Sequence, residues 1–140
     1  MNQMRLEFIS ASQNERFARS VAAAFVLELD PTLQELSEIK TAVSEAVTNA
    51  IIHGYRGTSG TIIMEGIISG TVLEITVRDK GTGICDIDKA MEPMYTGAPE
   101  EERSGLGFTI MQTFMDELEV ESEPGKGTRI TMRKKIGSTR

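Results

Sequence analysis

Apolar residues recur along this chain with two different periods, and these periods predict its helices and strands. Residues 4–9 alternate loosely between apolar and polar side chains, which predicts an edge strand. Two helical stretches follow, each opened by a capping box, at Ser12-Gln13-Asn14-Glu15 and at Thr32-Leu33-Gln34-Glu35. We expect the second helix to end at Gly54 or just after it. The predicted buried faces are Phe17, Val21, Ala24 and Phe25 in the first helix, and Leu36, Ile39, Val43, Ala46, Val47, Ala50 and Ile51 in the second.

Strand patterns return in the second half of the chain. Residues 61–68 and 71–78 read as strands joined by a tight turn at Ser69-Gly70, and residues 118–123 and 128–135 read as a last hairpin. A helix is expected from about 106 to 115. The order β-α-α-β-β-α-β-β predicts one α+β domain over residues 1–140, a two-layer sandwich with helices on one face of a mixed, mainly antiparallel sheet. Most of the eight methionines lie among other apolar residues and are expected to fill the core.

Composition narrows the classes of function. The 140 residues carry a formal charge of −6, which argues against direct binding to nucleic acid or to an anionic membrane. Cys85 is the only cysteine, so no internal disulfide forms, and no apolar run approaches the length of a membrane span. Without a secretory signal pattern, we expect a cytoplasmic protein. A basic C-terminal patch is explained most simply by alternate residues of an edge strand and tail: Arg129, Arg133, Lys134, Lys135 and Arg140.

Candidate chemistry begins with Glu45 and Asn49, four residues apart on the second helix. That spacing places both side chains on one face, about 6 Å apart along the axis, where one can hold a metal and the other can take a proton. Three glycine-rich boxes follow, and glycines there let backbone N–H groups approach a ligand closely. The boxes are Asp79-Lys80-Gly81-Thr82-Gly83, Arg103-Ser104-Gly105-Leu106-Gly107-Phe108 and Gly125-Lys126-Gly127-Thr128.

Other nucleotide-binding motifs do not fit these boxes. A P-loop requires Ser or Thr directly after its Gly-Lys pair, but Gly127 follows Gly125-Lys126. A dinucleotide fingerprint starting at Gly105 requires glycine or alanine at position 110, which is Ile110. The sole histidine, His53, lies inside the candidate site, so a self-phosphorylating sensor is disfavoured.

In the order and spacing of these boxes the chain resembles the nucleotide-binding domain of gyrase-type ATPases, Hsp90 chaperones, histidine kinases and mismatch-repair ATPases, a Bergerat-type fold. The resemblance runs from about Thr32 to Arg133. Within that superfamily the chain is most similar to bacterial anti-sigma factors that are also serine-protein kinases, of the sporulation type. The runs that carry this are Phe25 to Tyr55 and Glu102 to Met111.

The resemblance implies a role for each candidate residue. Asp79 would receive the adenine amino group, assisted by Thr128; Asn49 would bind Mg²⁺; Glu45 would be the catalytic base; and Arg103 would contact the terminal phosphate. Arg19 would belong to the partner-binding surface, although a solvated charge explains it nearly as well. His53 is either a donor near a helix C-terminus or a contact on the phosphate side. The remaining nucleotide contacts would be Gly81, Gly83, Ile84, Ser104, Gly105, Leu106, Gly107 and Phe108.

The segment from 81 to 104 lacks periodicity, and we interpret it as a mobile lid. Related lids carry a lysine where this chain has Ala98, after an added Gly97. That departure suggests a looser lid and a larger role for Arg103 at the phosphate.

In family terms the chain is expected to bind ATP and Mg²⁺ and to leave ADP after transfer. It would inhibit a sigma F-like sporulation sigma factor and phosphorylate a serine of an anti-anti-sigma protein, acting as a homodimer. The alternatives are an anti-sigma kinase of the general-stress type and a nucleotide-gated binding module without phosphotransfer. Glu45 favours a kinase, because a binding module needs no base there.

Overall fold

The computed structural model describes residues 1–84, 91 and 107–137. Its elements follow the predicted order, with a short 3₁₀ turn after the first helix and a π-helical turn after the second. They are β1 (Asn2–Ile9), α1 (Asn14–Val26), the 3₁₀ turn (Leu27–Leu29), α2 (Leu33–Thr48), the π-helical turn (Asn49–Gly54), β2 (Thr61–Ser69), β3 (Val72–Asp79), α3 (Gly107–Phe114), β4 (Glu117–Glu123) and β5 (Gly127–Lys135).

The described strands form one sheet in the order β1-β2-β3-β5-β4. The α+β sandwich is confirmed, and where we expected a mixed sheet, every described strand pair is antiparallel. Because β5 lies between β3 and β4, the prediction that the basic C-terminal patch sits on an edge strand is wrong. The last hairpin places β5 in the interior of the sheet and β4 at its edge.

The core lies between the helices and one face of this sheet. Alternate residues of the inner strands are buried there, as the two-residue period of a strand requires. The helices meet them with small and β-branched side chains, which allows a close approach between the two layers. The largest fully buried side chains are Ile39, Ile62, Met64, Ile68, Leu73, Ile75, Met111, Ile130, Met132, Val26, Val43 and Val47.

The buried face of α1 differs in part from the predicted one: Val21 and Phe25 are partly buried against the core as expected, but Ala24 is exposed. The fully buried residues are Ala18, Ala22 and Val26, while Phe17 is 50% exposed. The sequence pattern favours the larger apolar side chains, whereas the small side chains of Ala18 and Ala22 occupy the closest contact of α1 with the core. The expected capping box at Ser12 is also absent, since the N-cap residue is Gln13 and it makes no side-chain cap bond.

The predicted capping box of α2 is confirmed. The Thr32 hydroxyl accepts the Glu35 N–H at 3.0 Å, and the Glu35 carboxylate accepts the Thr32 N–H at 2.9 Å. Glu35 is buried, and its second oxygen accepts the Gly137 N–H at 2.8 Å. The cap therefore also fastens the chain after β5 to the start of α2.

The expectation for the methionines holds for Met64, Met111, Met115 and Met132, which are buried, whereas Met1 is exposed. Within the described ranges, no helix is long and apolar enough to cross a membrane. Only residues 81–84 and Met91 of the predicted lid are described, so Cys85, Gly97 and Ala98 lie outside the described residues.

Candidate functional site

A buried carboxylate lies at the end of β3. Asp79 is 7% exposed and stands between Ile62 of β2 and Thr128 of β5 in the sheet register. The Gly81 N–H donates to its Oδ1 at 2.9 Å. Burial raises the pKa of the Asp79 carboxyl above its ordinary value, and hydrogen bonds from the backbone of Gly81 and Thr128 offset part of that rise. A buried acceptor of this kind is suited to a ligand that brings a hydrogen-bond donor.

Two glycines allow the backbone to close around Asp79. A methyl group on Gly54 would come 2.8 Å from Asp79 Oδ1, and one on Gly81 would come 1.9 Å from the Gly54 carbonyl oxygen. The end of the π-helical turn therefore packs directly against the carboxylate and against the loop after β3. Any side chain at Gly81 would separate these two backbones.

Hydrogen bonds hold the loop after β3 on both sides. Thr82 donates its N–H to the Gly54 carbonyl at 2.8 Å and its hydroxyl to the His53 carbonyl at 3.1 Å. On the other side, the Gly125 N–H donates to the Thr82 carbonyl at 2.6 Å. The loop is thus fixed between the end of the second helix and the turn that joins β4 to β5.

Tyr55 adds a further link beneath this loop. Its hydroxyl donates to the Thr61 carbonyl at 2.6 Å and accepts the Lys80 N–H at 2.9 Å. The ring also lies against Gly60, where a methyl group would come 2.2 Å from it. The buried tyrosine therefore joins the end of the π-helical turn to the start of β2 and the end of β3.

A hydroxyl pair lines the next side of the site. Thr128 and Ser122 share a hydrogen bond of 2.8 Å between their hydroxyl oxygens, and the Ile84 N–H donates to Ser122 Oγ at 2.7 Å. Gly83 has φ +75°, and a methyl group there would come 2.0 Å from the Glu123 carbonyl oxygen. Ser122 therefore joins Ile84 to Thr128, which pairs with Asp79 in the sheet.

The second half of the site lies between α2 and α3. A methyl group on Gly107 would come 3.3 Å from Glu45 Oε1, so the Glu45 carboxylate lies against the first residue of α3. Residues 45 and 107 are far apart in sequence, and the packing of α3 on α2 brings them together. The backbone N–H groups at the start of a helix favour an anion, and a carboxylate beside them can accept a proton.

Asn49 and His53 lie on the π-helical turn that continues α2. The Asn49 N–H bonds to the carbonyls of Ala46 and Glu45, so the turn begins one helical turn after Glu45. Such turns are rare and frequently occur at functional sites. In the described part of the chain, no three His, Cys, Asp or Glu side chains group together to hold a metal. An Asn49 oxygen fits Mg²⁺, which keeps several waters and takes phosphate oxygens as ligands.

Comparisons with known proteins identify the family of this chain. Residues 10–134 match the family described as histidine kinase-like ATPase domain. An anti-sigma F factor of Thermoanaerobacter sp. (strain X514) is 62% identical over 137 residues, covering 98% of this chain and 96% of the relative. The anti-sigma F factor of Clostridium kluyveri (strain ATCC 8527) is 60% identical with the same coverage. The chain belongs to the anti-sigma F factor family.

Solved structures agree on the fold of this family member. The structure of the RsbU and RsbW domains of a Mycobacterium tuberculosis protein aligns with a TM-score of 0.70 at 18% identity, over 97% of this chain and 32% of that one. The catalytic domain of histidine kinase ThkA aligns with a TM-score of 0.61 at 15% identity, over 97% of both chains. The likeness shows that the chain has a histidine kinase-like ATPase fold.

The structure groups most of the described candidate residues but leaves some elsewhere. Phe108 is buried in the core, so it can reach a ligand only through its backbone. Arg19 lies on α1, away from Asp79, and its Nε is 3.4 Å from the Glu15 carboxylate. The predicted residues that lie outside the described part of the chain are Arg103, Ser104, Gly105 and Leu106.

Three residues of the site were not identified from the sequence. The sequence pattern marks Gly54 only as a helix end, although its closeness to Asp79 and Gly81 makes it part of the site. Tyr55 and Ser122 link the loops around it. A glycine–tyrosine pair directly after the Glu45–Asn49 helix is the available signal, but the contacts that bring it to the site, Gly54 with Asp79 and Tyr55 with Lys80, join residues 25 positions apart.

Proposed function

We propose that this protein is a Mg²⁺- and ATP-dependent serine-protein kinase that also binds and inhibits a sigma F-like sporulation sigma factor. The observation that carries the proposal is the buried Asp79 carboxylate at the end of β3, enclosed by Gly54 and Gly81. In the same domain, the Glu45 carboxylate of α2 lies against the start of α3. One half suits a purine and the other suits phosphates. The anti-sigma F factors that share about 60% of its residues support the sigma-binding part.

On the adenine side, Asp79 accepts the exocyclic amino group. Its carboxylate already takes backbone donors, and a ligand amine supplies another in a place that water reaches poorly. Thr128 assists through its hydroxyl, which Ser122 orients. The loop from Gly81 to Ile84 supplies the surface around the purine and ribose.

On the phosphate side, the side-chain oxygen of Asn49 would hold Mg²⁺, which would offset the negative charge of the phosphates. Gly107 and Phe108 present backbone N–H groups at the start of α3. Glu45 orients and deprotonates the attacking serine hydroxyl. Arg103, Ser104, Gly105 and Leu106 complete the phosphate site in this proposal, which takes them from the resemblance, and His53 contributes from the π-helical turn.

The kinase substrate in this proposal is a serine of an anti-anti-sigma protein, and the sigma factor contacts a surface that includes Arg19. The protein acts as a homodimer in the cytoplasm. Glu45 favours a kinase over a nucleotide-gated module that transfers no phosphate, because its carboxylate lies beside the start of α3 and a binding module needs no base there. A general-stress sigma factor is the alternative partner.

The deciding experiment is phosphate transfer from radiolabelled ATP to the purified anti-anti-sigma protein by the wild type, Glu45→Gln and Glu28→Gln. Glu28 is an exposed glutamate of the 3₁₀ turn that accepts a hydrogen bond from the Asn2 amide at 2.8 Å, and it serves as the matched control. Without its base, Glu45→Gln should lose on the order of 10²–10⁴-fold in rate.

ATP affinity and sigma-factor binding should survive in Glu45→Gln, because the adenine side is untouched. Full transfer by this variant removes Glu45 as the base. Loss of transfer together with sigma binding shows instead that Glu45 is structural. Wild-type protein that binds ATP and the sigma factor but transfers no phosphate would support the nucleotide-gated module.

A further inference from the structure

One lysine lies on the face of its strand that is otherwise apolar and buried. Lys134 belongs to β5 and shares the helix-facing side with the buried Met132 and Ile130, two and four residues before it. Its side chain is only 11% exposed. Because burying an ammonium group without partners is costly, the contacts of Lys134 need an explanation.

Those contacts join three elements at one nitrogen. Lys134 Nζ donates to the carbonyl of Phe114, the last residue of α3, at 2.7 Å. The same nitrogen lies 3.3 Å from Glu38 Oε1 on α2. The last carbonyls of a helix have no partner within it and favour a cation, so Lys134 satisfies the end of α3 while pairing with α2.

The position of this contact relative to the phosphate side follows from the sequence numbers. Glu38 precedes Glu45 by seven residues on α2, and Phe114 follows Gly107 by seven residues on α3. The two helices are therefore antiparallel, with Lys134 at one end of their contact and the Glu45–Gly107 contact at the other. Seven residues span about 10 Å, or two turns.

We propose that Lys134 is a positioning residue for phosphate transfer, holding α3 in register on α2 so that the helix start remains beside Glu45. The inference rests on the proposed kinase function. Adenine is bound by other elements, β3 with its following loop and the start of β5, so loosening the α2–α3 contact should affect the phosphate side and spare the adenine side.

The test compares Lys134→Met and Glu38→Gln with the control Lys135→Met. Lys135 is the next residue of β5, is exposed, and lies on the opposite face of the sheet. Each variant is assayed for phosphate transfer to the anti-anti-sigma protein and, by calorimetry, for affinity towards ATP and adenosine. Adenosine lacks phosphates, so the ratio of the two affinities reports on the phosphate side alone.

We expect Lys134→Met to transfer phosphate about 10- to 100-fold more slowly, since small displacements of reacting groups have effects of that size. Its ATP affinity should fall while its adenosine affinity stays that of the wild type. Glu38→Gln should show a smaller loss, and the double variant should lose less than the sum, because both changes break one contact. Lys134→Arg should recover part of the rate.

Several results would overturn the inference. If Lys134→Met has the same transfer rate and affinities as Lys135→Met, Lys134 has no role on the phosphate side. If Lys134→Met loses ATP and adenosine affinity equally, Lys134 contributes only to general stability. If Lys134→Met does not fold, the ratio of ATP affinity to adenosine affinity in Glu38→Gln decides instead. If the wild type transfers no phosphate, the kinase proposal fails, whereas the ATP-to-adenosine ratio still tests the α2–α3 contact.

Discussion

Replacing Asp79 with asparagine tests the adenine side of the site with a change of few atoms. The substitution keeps size and shape but exchanges one carboxylate oxygen for an NH₂ group. In the folded protein the backbone N–H groups of Gly81 and Thr128 already point at this side chain. An amide has a single accepting oxygen, so in either orientation its NH₂ faces another donor, from the backbone or from the purine.

The size of the effect follows from this mismatch. An unsatisfied buried donor costs about 1–3 kcal/mol, and each 1.4 kcal/mol is tenfold in affinity. Since the Asp79 side chain is 7% exposed, water can replace little of the lost interaction. We therefore expect ATP and ADP affinity to fall by roughly 10- to 100-fold or more, to a level at which nucleotide binding is abolished at ordinary assay concentrations.

Calorimetric titration with ATP and ADP measures this directly. Asp116→Asn is the matched control: it makes the same chemical change at an exposed aspartate that also accepts a backbone N–H, from Lys135 at 2.7 Å. The control should bind nucleotide as the wild type does. Unchanged ATP affinity in Asp79→Asn would refute the assignment of Asp79 to adenine.

The same variant has an expected pH signature in the absence of nucleotide. Because the pKa of Asp79 is raised by burial, the folded state holds its proton more tightly than the unfolded chain. The stability linked to that proton is complete below the ordinary aspartate pKa, about 4, and is lost as pH rises through the raised folded value. The melting temperature of Asp79→Asn minus that of wild type should therefore increase with pH over this window. A difference that stays constant or decreases would contradict the burial argument.

Three further outcomes are expected. Gly81→Ala should abolish nucleotide binding and lower the melting temperature, because its methyl group would come 1.9 Å from the Gly54 backbone; titration and thermal scans measure both. Thr32→Ala should reduce the free energy of unfolding by about 1 kcal/mol through loss of the cap to Glu35, as measured by denaturant titration, with nucleotide affinity intact. Wild-type ATP affinity should fall as pH drops through the folded pKa of Asp79, since the protonated carboxyl offers one acceptor fewer, and a pH-independent affinity would count against this.

The sequence by itself determined the order of elements and the local signals within them. The capping box at Thr32 and Glu35 formed as predicted, because it depends on residues three apart. The strand periods at residues 61–68 and 71–78 match β2 and β3 closely, because the two-residue period of a strand is also a local feature. The candidate residues of the glycine boxes were likewise visible, since each box is a short, continuous motif.

Only the tertiary structure decided which surfaces meet. The buried face of α1 is the alanine stripe, because the distance between layers rather than residue size selects it. The exposure of β5 depended on which strand it joined, and pairing with both β3 and β4 put it in the interior. Gly54 entered the site, and Lys134 reached α2 and α3, through contacts between residues 20 to 96 positions apart. Such contacts arise from the packing of distant segments, which the periodicity of apolar residues along the sequence does not reveal.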